Sequence, residues 1–201
     1  MIEIELKYKL NKTPLIEKLP ESEEYVEDIY YDTIDYRLLR NGNFLRLRNN
    51  NRIDFKLSTN DLTHLYCKET SFDINDFDSN YVSEILKDIG VNISFQTHKD
   101  LLNNLIVLAP IKKHRKSYKL EKNVVMVIDE VDDLGAFLEI EYDLDKASIT
   151  KEEADYYKKY LEDILNKRNL ISSSDIELHI GYVELYLKEY NIEAFNLGIY
   201  K

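Results

Sequence analysis

Strict alternation of charged and apolar residues constrains the fold of this chain more than any other feature. The segment IEIELKY (residues 2–8) carries two carboxylates and one ammonium at every second position, with apolar side chains between them. Successive side chains of a β-strand point to opposite faces of its sheet. The pattern therefore predicts a strand with one charged face and one apolar face.

The same alternation recurs along the chain, and turn sequences separate the alternating segments. NNN at 49–51, EKN at 121–123 and DDLG at 132–135 are short, so their flanking strands are predicted to form antiparallel hairpins. The predicted strands cover residues 2–9, 27–32, 44–49, 52–58, 64–73, 112–119, 124–131 and 137–144.

Helical periodicity occupies other segments. TKEE at 150–153 is a capping-box sequence ahead of an apolar repeat, and Ser79 is predicted to cap a helix that stops at Gly90. Eight strands with helices among them predict an α+β domain with a mostly antiparallel sheet. Further helices are predicted after Thr13-Pro14, in THKDLLNNLI and in GYVELYLKEY.

Composition predicts one domain. The chain has 201 residues, of which 5 are glycine and 3 are proline, and no linker or low-complexity tract interrupts it. Hydrophobic residues make up 44%, enough for a folded core. We expect a single domain over 1–201, with the core motifs in 1–145 and C-terminal helices in 150–190.

Charge and cysteine content limit the classes of function. The formal net charge of −11 argues against a protein that coats nucleic acid. The single cysteine, Cys67, excludes an intrachain disulfide and fits a reducing compartment. No apolar run approaches the length of a membrane span. We therefore expect a cytoplasmic protein with neither a nucleic-acid nor a membrane partner.

The charges of the alternating strands are sorted by sign. Acids dominate the first and last predicted strands, and bases dominate the third, fourth and sixth. One interpretation is a solvated face of an ordinary antiparallel sheet. Another is a structural barrel whose acids and bases pair across strands.

A third interpretation is an eight-stranded barrel whose charged face lines the lumen. Buried like charges are costly unless a ligand or metal matches them. Clustered lysines and arginines favour an anion with many oxygens, and clustered carboxylates favour a hard divalent cation. A polyphosphate with Mg²⁺ or Mn²⁺ satisfies both requirements.

Five sequence blocks occur in an order that points to a known family. They are ExExK at 3–7, YYDTIDYRLLRNGNFLRLR at 30–48, DFKLS at 54–58, and within 113–144 a K-x-R with a strand aspartate and a glycine turn with E-x-E. The combination resembles the CYTH family, the triphosphate tunnel metalloenzymes. The resemblance covers residues 1–145 and implies an eight-stranded antiparallel β-barrel with flanking helices that binds a triphosphate.

The resemblance also implies roles for individual residues. Glu69 matches an acidic tunnel position less closely than the other residues match theirs. The implied metal ligands are Glu3, Glu5, Asp129, Glu139 and Glu141, and the implied phosphate ligands are Lys7, Arg46, Arg48, Lys56, Lys113 and Arg115.

The implied activity is divalent-metal-dependent hydrolysis of inorganic triphosphate, thiamine triphosphate or a nucleoside triphosphate, with Mg²⁺ or Mn²⁺ as cofactor. Glu3, Glu139 and Glu141 would hold one metal ion, and Glu5 and Asp129 a second that activates water. Lys7 or Lys56 would stabilise the departing diphosphate. The implied catalytic residues are thus Lys7, Lys56, Glu5 and Asp129.

Two other functions remain open on the sequence. A class IV adenylate cyclase would use the same tunnel to convert ATP into cyclic AMP and diphosphate, and KHRKSY at 113–118 suits it equally well. A non-catalytic polyphosphate or nucleotide sensor would keep the basic positions. A homodimer is a candidate oligomeric state.

The C-terminal region departs from the family pattern. Ile180-Gly181-Tyr182 stands where the family often has a basic residue followed by Ser-Tyr. His179 or Lys188 would have to supply that positive charge. Residues 94–110 exceed what a minimal family member needs and receive no predicted function.

Overall fold

A computed structural model describes residues 2–58, 66–146 and 148–199. The chain divides into two compact units, which are described separately. The first unit comprises Met1–Val26, Asp61–Lys68 and Lys112–Gly181, and the second comprises Glu27–Asn60, Glu69–Ile111 and Tyr182–Lys201.

The order of strands and helices along the chain is that of a mixed α+β fold, as predicted. The strands in the described residues are β1 (Ile2–Lys9), β2 (Ser22–Asp32), β3 (Phe44–Arg48), β4 (Arg52–Ser58), β5 (Tyr66–Asp73), β6 (Ile106–Glu121), β7 (Val124–Val131), β8 (Gly135–Leu144) and β9 (Ile176–Leu178). The helices are α1 (Arg37–Arg40), α2 (Ser79–Asp88), α3 (His98–Asn103), α4 (Lys151–Lys167), α5 (Tyr182–Tyr190) and α6 (Ile192–Phe195), with a 3₁₀ turn at Ile74–Asp76.

Strand pairing is antiparallel wherever the register is defined. In the first unit the neighbours run β6-β7-β8-β1-β9, and in the second they run β5-β4-β3-β2. One edge of β1 pairs with β8 along its whole length. Its other edge is shared, because residues 2–4 pair with β5 and residues 7–9 pair with β9. Antiparallel pairing is therefore confirmed, with nine strands among the described residues where eight were predicted, and β1 pairs with β5 only at residues 2–4.

The core of the first unit lies on the apolar face of β1. Ile4 and Leu6 are buried there against the neighbouring strands and against α4, which contributes Leu161 and Leu165. Removing one such side chain from water stabilises the fold by about 1.5–3 kcal/mol. The sequence pattern of α4 produces this packing, because its apolar residues recur at helical spacing.

The second unit has its own core on the apolar faces of β3 and β4. Leu45 and Phe55 are fully buried together with Leu86 of α2 and Leu101 of α3. Leu45 pairs directly with Phe55 across the β3–β4 hairpin. The predicted alternation of both strands is confirmed, since their intervening residues are charged.

Helix ends follow the capping chemistry of the sequence. The capping box at Thr150 forms as predicted at the start of α4, and Thr97 forms a second one at the start of α3. The cap of α2 is Asp78, one residue before the predicted Ser79. Gly90, with φ +77°, follows the end of α2 in the left-handed region that glycine accepts without strain.

Several boundaries differ from the predictions. Residues 13–20 form no helix, so the helix predicted after Thr13-Pro14 is wrong. The stretch 97–106 is helical only to Asn103, and from Ile106 it becomes β6, six residues earlier than predicted. β2 likewise begins five residues early, and β9 was not predicted. Residues 64 and 65 of the predicted fifth strand lie outside the described residues.

No helix in the described part of the chain combines the length and apolar character needed to span a membrane.

Candidate functional site

Part of the charged face of the sheet in the first unit is buried. Lys7, Lys113, Asp129 and Glu139 are between 0% and 8% exposed. They lie on β1, β6, β7 and β8, and the alternating residues of these strands form the apolar core on the other face. This burial excludes the ordinary wet face for these four residues. It requires each charge to have a partner.

Lys7 is the cation between two carboxylates. Its Nζ lies 2.8 Å from Oε1 of Glu5 and 2.9 Å from Oε1 of Glu139. Lys7 and Glu139 are direct cross-strand partners of β1 and β8, which explains the contact. Burial by itself lowers the pKa of Lys7, but the two carboxylates outweigh it and raise that pKa.

Arg115 joins two further carboxylates to the same network. Its Nε donates to Oδ1 of Asp129 at 2.7 Å, and its Nη2 donates to Oδ2 at 2.5 Å and to Oε2 of Glu139 at 2.8 Å. Lys113 Nζ lies 3.5 Å from the same Asp129 oxygen. Lys113, Asp129, Arg115, Glu139 and Lys7 thus form one continuous run of alternating charge.

Glu139 and Glu141 lie two residues apart on β8 and have opposite electrostatic environments. Burial favours protonation of Glu139, but Lys7 and Arg115 outweigh it and hold its pKa well below the usual value. Burial raises the pKa of Glu141 to about 8, and the neighbouring charges of Glu3 and Glu139 add to the shift. The first unit therefore carries an excess of carboxylate around Glu141.

Cross-strand register explains this excess. Glu5 pairs directly with Glu141, and Glu3 pairs with Asp143. Like charges at directly opposed positions destabilise a sheet unless a cation lies between them. All four side chains are carboxylates, the donors that hard divalent cations prefer. Their chemistry fits a divalent metal, although within the described residues no group of three or more Asp, Glu, His or Cys side chains is already gathered around one point.

The second unit contains a separate cluster in which bases and acids balance. Arg46 Nε donates to Oδ2 of Asp54 at 2.8 Å, and its Nη2 donates to Oε1 of Glu69 at 3.0 Å. Arg46 is 8% exposed and Asp54 is fully buried. Lys56 Nζ approaches Oε2 of Glu69 at 3.8 Å. Arg46 and Asp54 meet because they are direct partners of the β3–β4 hairpin.

Arg48 is held by one carboxylate. Its Nε donates to Oδ1 of Asp28 at 2.7 Å and its Nη2 donates to Oδ2 at 2.8 Å. Asp28 on β2 is the direct cross-strand partner of Arg48 on β3. This bidentate geometry fixes the plane of the guanidinium group.

The predicted site residues therefore fall into two groups. In the first unit the electrostatic contacts connect Glu3, Glu5, Lys7, Lys113, Arg115, Asp129, Glu139 and Glu141. In the second unit they connect Arg46, Arg48, Lys56 and Glu69 through shared carboxylates. Individual catalytic, metal and phosphate roles remain predictions.

Asp28 and Asp54, two buried carboxylates that contact predicted phosphate-binding arginines, were among the residues missed at the sequence level. Asp54 was assigned to the charged face of its strand but received no role. A signal for both exists in the hairpin register, since the NNN turn at 49–51 places Asp54 opposite Arg46. For Asp28 the register between β2 and β3 is needed, and the longer connection between them does not determine it.

Neither of the two residues predicted to substitute for the missing C-terminal basic residue is buried. The His179 side chain is 66% exposed and lies 3.9 Å from Glu177. Lys188 is exposed near the end of α5. The positive charge that the family often has near Ile180 remains unassigned.

An α+β fold with buried, charge-bearing antiparallel strands is the class of protein that these observations define. The family model for the CYTH domain matches residues 1–163. The chain therefore belongs to the CYTH family, as its sequence motifs predicted. The family binds triphosphate substrates and generally depends on divalent metal. No curated protein matches the sequence.

Solved structures share the fold at low sequence identity. The PH1819 protein of Pyrococcus horikoshii OT3 is 23% identical, with a TM-score of 0.61 over 93% of this chain and 99% of its own. A proposed adenylate cyclase of Vibrio parahaemolyticus is 17% identical, with a TM-score of 0.58 over 92% and 97%. The Hippeastrum protein HpAC1, a proposed adenylyl cyclase described as having a dominant triphosphatase activity, is 16% identical, with a TM-score of 0.56 over 97% and 94%.

Proposed function

We propose that this protein is a divalent-metal-dependent hydrolase of triphosphate substrates, such as inorganic triphosphate, thiamine triphosphate or a nucleoside triphosphate. The observation that carries the proposal is the buried charged face of the first unit, where Lys7, Arg115 and Glu139 share one network. A solvated sheet face has no need to bury such charges, whereas a polyphosphate site does.

The basic residues of each unit would bind phosphate oxygens. In the first unit these are Lys7, Lys113 and Arg115, each already held beside a carboxylate. In the second unit they are Arg46, Arg48 and Lys56. Fixed cations lower the barrier to phosphoryl transfer because they need no reorganisation when charge develops on the oxygens.

The carboxylates of the first unit would hold the metal. Glu3, Glu139 and Glu141 are proposed for one ion, and Glu5 and Asp129 for a second. When bound, such ions neutralise phosphate oxygens and lower the pKa of a bound water. The Glu141 environment supports this assignment, since its carboxyl, with a pKa of about 8, lies among other acids and gains a counter-charge from a cation.

Asp129 fits its assigned role less simply. Both of its oxygens accept hydrogen bonds from Arg115. Metal binding at Asp129 would therefore compete with Arg115, and a phosphate oxygen would have to take over the guanidinium. Lys7 would likewise have to give up its contacts with Glu5 and Glu139 in order to bind a phosphate oxygen. Both exchanges make metal and triphosphate binding mutually dependent.

A class IV adenylate cyclase is the second candidate. KHRKSY at 113–118 suits ATP binding by a cyclase as well as by a hydrolase, and one structural neighbour is described as a proposed adenylate cyclase. The two reactions differ in the attacking oxygen, which is water in hydrolysis and the ribose 3′-hydroxyl in cyclisation.

A product assay tests the proposal. The protein is incubated with inorganic triphosphate, thiamine triphosphate or ATP, each with Mg²⁺ or Mn²⁺. Release of orthophosphate, suppressed by a chelator, is the expected result. Cyclic AMP with diphosphate would establish the cyclase instead. Tight triphosphate binding with no product would identify a sensor and refute hydrolysis.

A further inference from the structure

Asp28 is a buried carboxylate that the proposed hydrolase does not use. It lies on β2 in the second unit and is 1% exposed. Its direct cross-strand partner is Arg48. A carboxylate this deeply buried needs cations or hydrogen-bond donors around it to compensate for its lost hydration.

Asp28 contacts both arginines that are predicted to bind phosphate. Its two oxygens accept from Nε and Nη2 of Arg48 at 2.7 and 2.8 Å. Its Oδ2 also lies 3.9 Å from Nη1 of Arg46. Asp28 thus orients the guanidinium group of Arg48 by hydrogen bonds and lies near that of Arg46.

The donors that remain on Arg48 are suited to an anion. Within the described part of the chain its hydrogen bonds run from Nε and Nη2, both to Asp28. Nη1 lies on the other edge of the planar guanidinium group of Arg48. The two hydrogen bonds to Asp28 therefore turn that edge away from Asp28. The Arg48 side chain is 16% exposed, more than that of Asp28 at 1%, so solvent or a ligand reaches it more readily.

Two physical roles are open to such a carboxylate, and they have opposite effects. A mere counter-charge stabilises the fold and opposes a negatively charged ligand by Coulomb repulsion. A positioning residue strengthens ligand binding despite that repulsion, because it spares the arginine the entropy of ordering. The bidentate geometry favours the second role, since a counter-charge needs only proximity.

We propose that Asp28 is a positioning residue for triphosphate binding, acting through the guanidinium group of Arg48. The proposal rests on the proposed function and deepens it by identifying what orients one of its phosphate ligands. Asp28 itself does not touch the substrate.

The test is calorimetric titration of the full chain with inorganic triphosphate and Mg²⁺. Asp28→Asn keeps the shape of the side chain but replaces one acceptor oxygen with an NH₂ group, so the bidentate hydrogen bonding to Arg48 is lost. We expect affinity to fall by about 10- to 100-fold, since misplacing a binding group by about 1 Å can cost as much as about 10²-fold. Asp28→Glu keeps the charge on a longer stem and should have an intermediate affinity.

Asp32→Asn is the matched control. Asp32 is also a buried aspartate of β2, but it accepts hydrogen bonds from the backbone N–H groups of Leu38 and Leu39 at 2.9 Å and from Thr33, so these bonds fix the start of α1 and the turn before it. Its loss should lower the melting temperature and leave triphosphate affinity unchanged. A purely structural Asp28 would behave in the same way.

A double-mutant cycle with Arg48→Lys isolates the proposed route. Lysine has no fork, so Asp28→Asn in that background should add almost nothing to the loss of affinity. An unchanged or increased affinity in Asp28→Asn would identify a counter-charge and overturn the proposal. Should Asp28→Asn fail to fold, wild-type affinity in Asp28→Glu would overturn it equally. Absence of triphosphate binding by the wild-type protein would refute the proposed function itself.

Discussion

The charged clusters of the two units are built on the same alternating pattern, yet Asp54 in the second unit and Glu141 in the first have opposite electrostatic environments. In the second unit burial alone would raise the pKa of Asp54, but Arg46 outweighs it and lowers that pKa. In the first unit burial raises the pKa of Glu141 to about 8, and Glu3 and Glu139 add to the rise.

The difference follows from cross-strand register. Asp54 lies opposite Arg46, whereas Glu141 lies opposite Glu5. The charges around Asp54 in the second unit are already neutralised by arginine. The carboxylates around Glu141 in the first unit gain stability from an added cation. We therefore expect mutations in the second unit to act mainly on stability and anion affinity, and those in the first unit on metal dependence and rate.

The largest effect should come from Arg46→Ala. It removes the buried cation that Asp54 and Glu69 contact at 2.8 and 3.0 Å, and leaves them only the less buried Arg52 and Lys56 among their described ion-pair partners. Removing one partner of a buried ion pair costs about 3–5 kcal/mol, measurable as a lower midpoint of urea unfolding. Triphosphate affinity should fall as well, which calorimetry would show.

Arg40→Ala is the control for that change, because Arg40 is exposed on α1 in the same unit. Exposed substitutions usually alter stability by no more than about 0.5 kcal/mol. Equal effects of the two variants would mean that the Arg46 cluster is not a buried network.

Glu139→Gln and Glu141→Gln should each lose activity while keeping the fold. Removing one electrostatic contact of this kind lowers the rate by about 10²–10³. Rates with Mg²⁺ or Mn²⁺ should be compared with circular dichroism spectra. Glu130→Gln, an exposed change on β7, serves as the control. Full turnover in both variants would remove these residues from the metal assignment.

Metal-free protein should lose stability as the pH rises from about 4.5 to 8. The carboxyl of Glu141 has a pKa of about 8 in the folded state against an ordinary 4.5, so between these values the folded state binds the extra proton. Linkage then makes folding less favourable with rising pH, by on the order of 2–4 kcal/mol over the window.

Chemical unfolding in the presence of a chelator measures this slope. Glu141→Gln has no titrating group at that position and should reduce the slope of unfolding free energy against pH. Added Mg²⁺ should restore stability in the wild-type protein most at high pH. A pH profile identical in wild type and Glu141→Gln would contradict the acid excess of the first unit.

The smallest expected effect on stability comes from removing helix caps outside both charged clusters. It serves as the reference for the changes made inside them. Thr150 caps α4 in the first unit and Thr97 caps α3 in the second, each within a capping box. Thr150→Ala and Thr97→Ala should each cost about 1 kcal/mol of unfolding free energy. Triphosphate affinity should stay at the wild-type value in both, and a large change would show that stability alone controls binding.

Much of the fold and site was predictable from local sequence. The alternation in IEIELKY predicted the strand and both of its faces, and the three short turns predicted the hairpins that pair Arg46 with Asp54 and Arg115 with Asp129. Element boundaries were less predictable where a strand is extended by pairing. The early starts of β2 and β6 and the three-residue β9 depend on neighbouring strands that local patterns do not reveal.

The sequence by itself determined which residues are charged and which share a strand face, because strand geometry has a period of two, and its motifs indicated the family. Only the tertiary structure decided which charges are buried, and which partners they have where no short turn joins the two strands. Asp28 meets Arg48, and Glu141 meets Glu5, through registers between strands distant in sequence. A pKa depends on burial and on distances of a few ångströms, and only the assembled sheet fixes both.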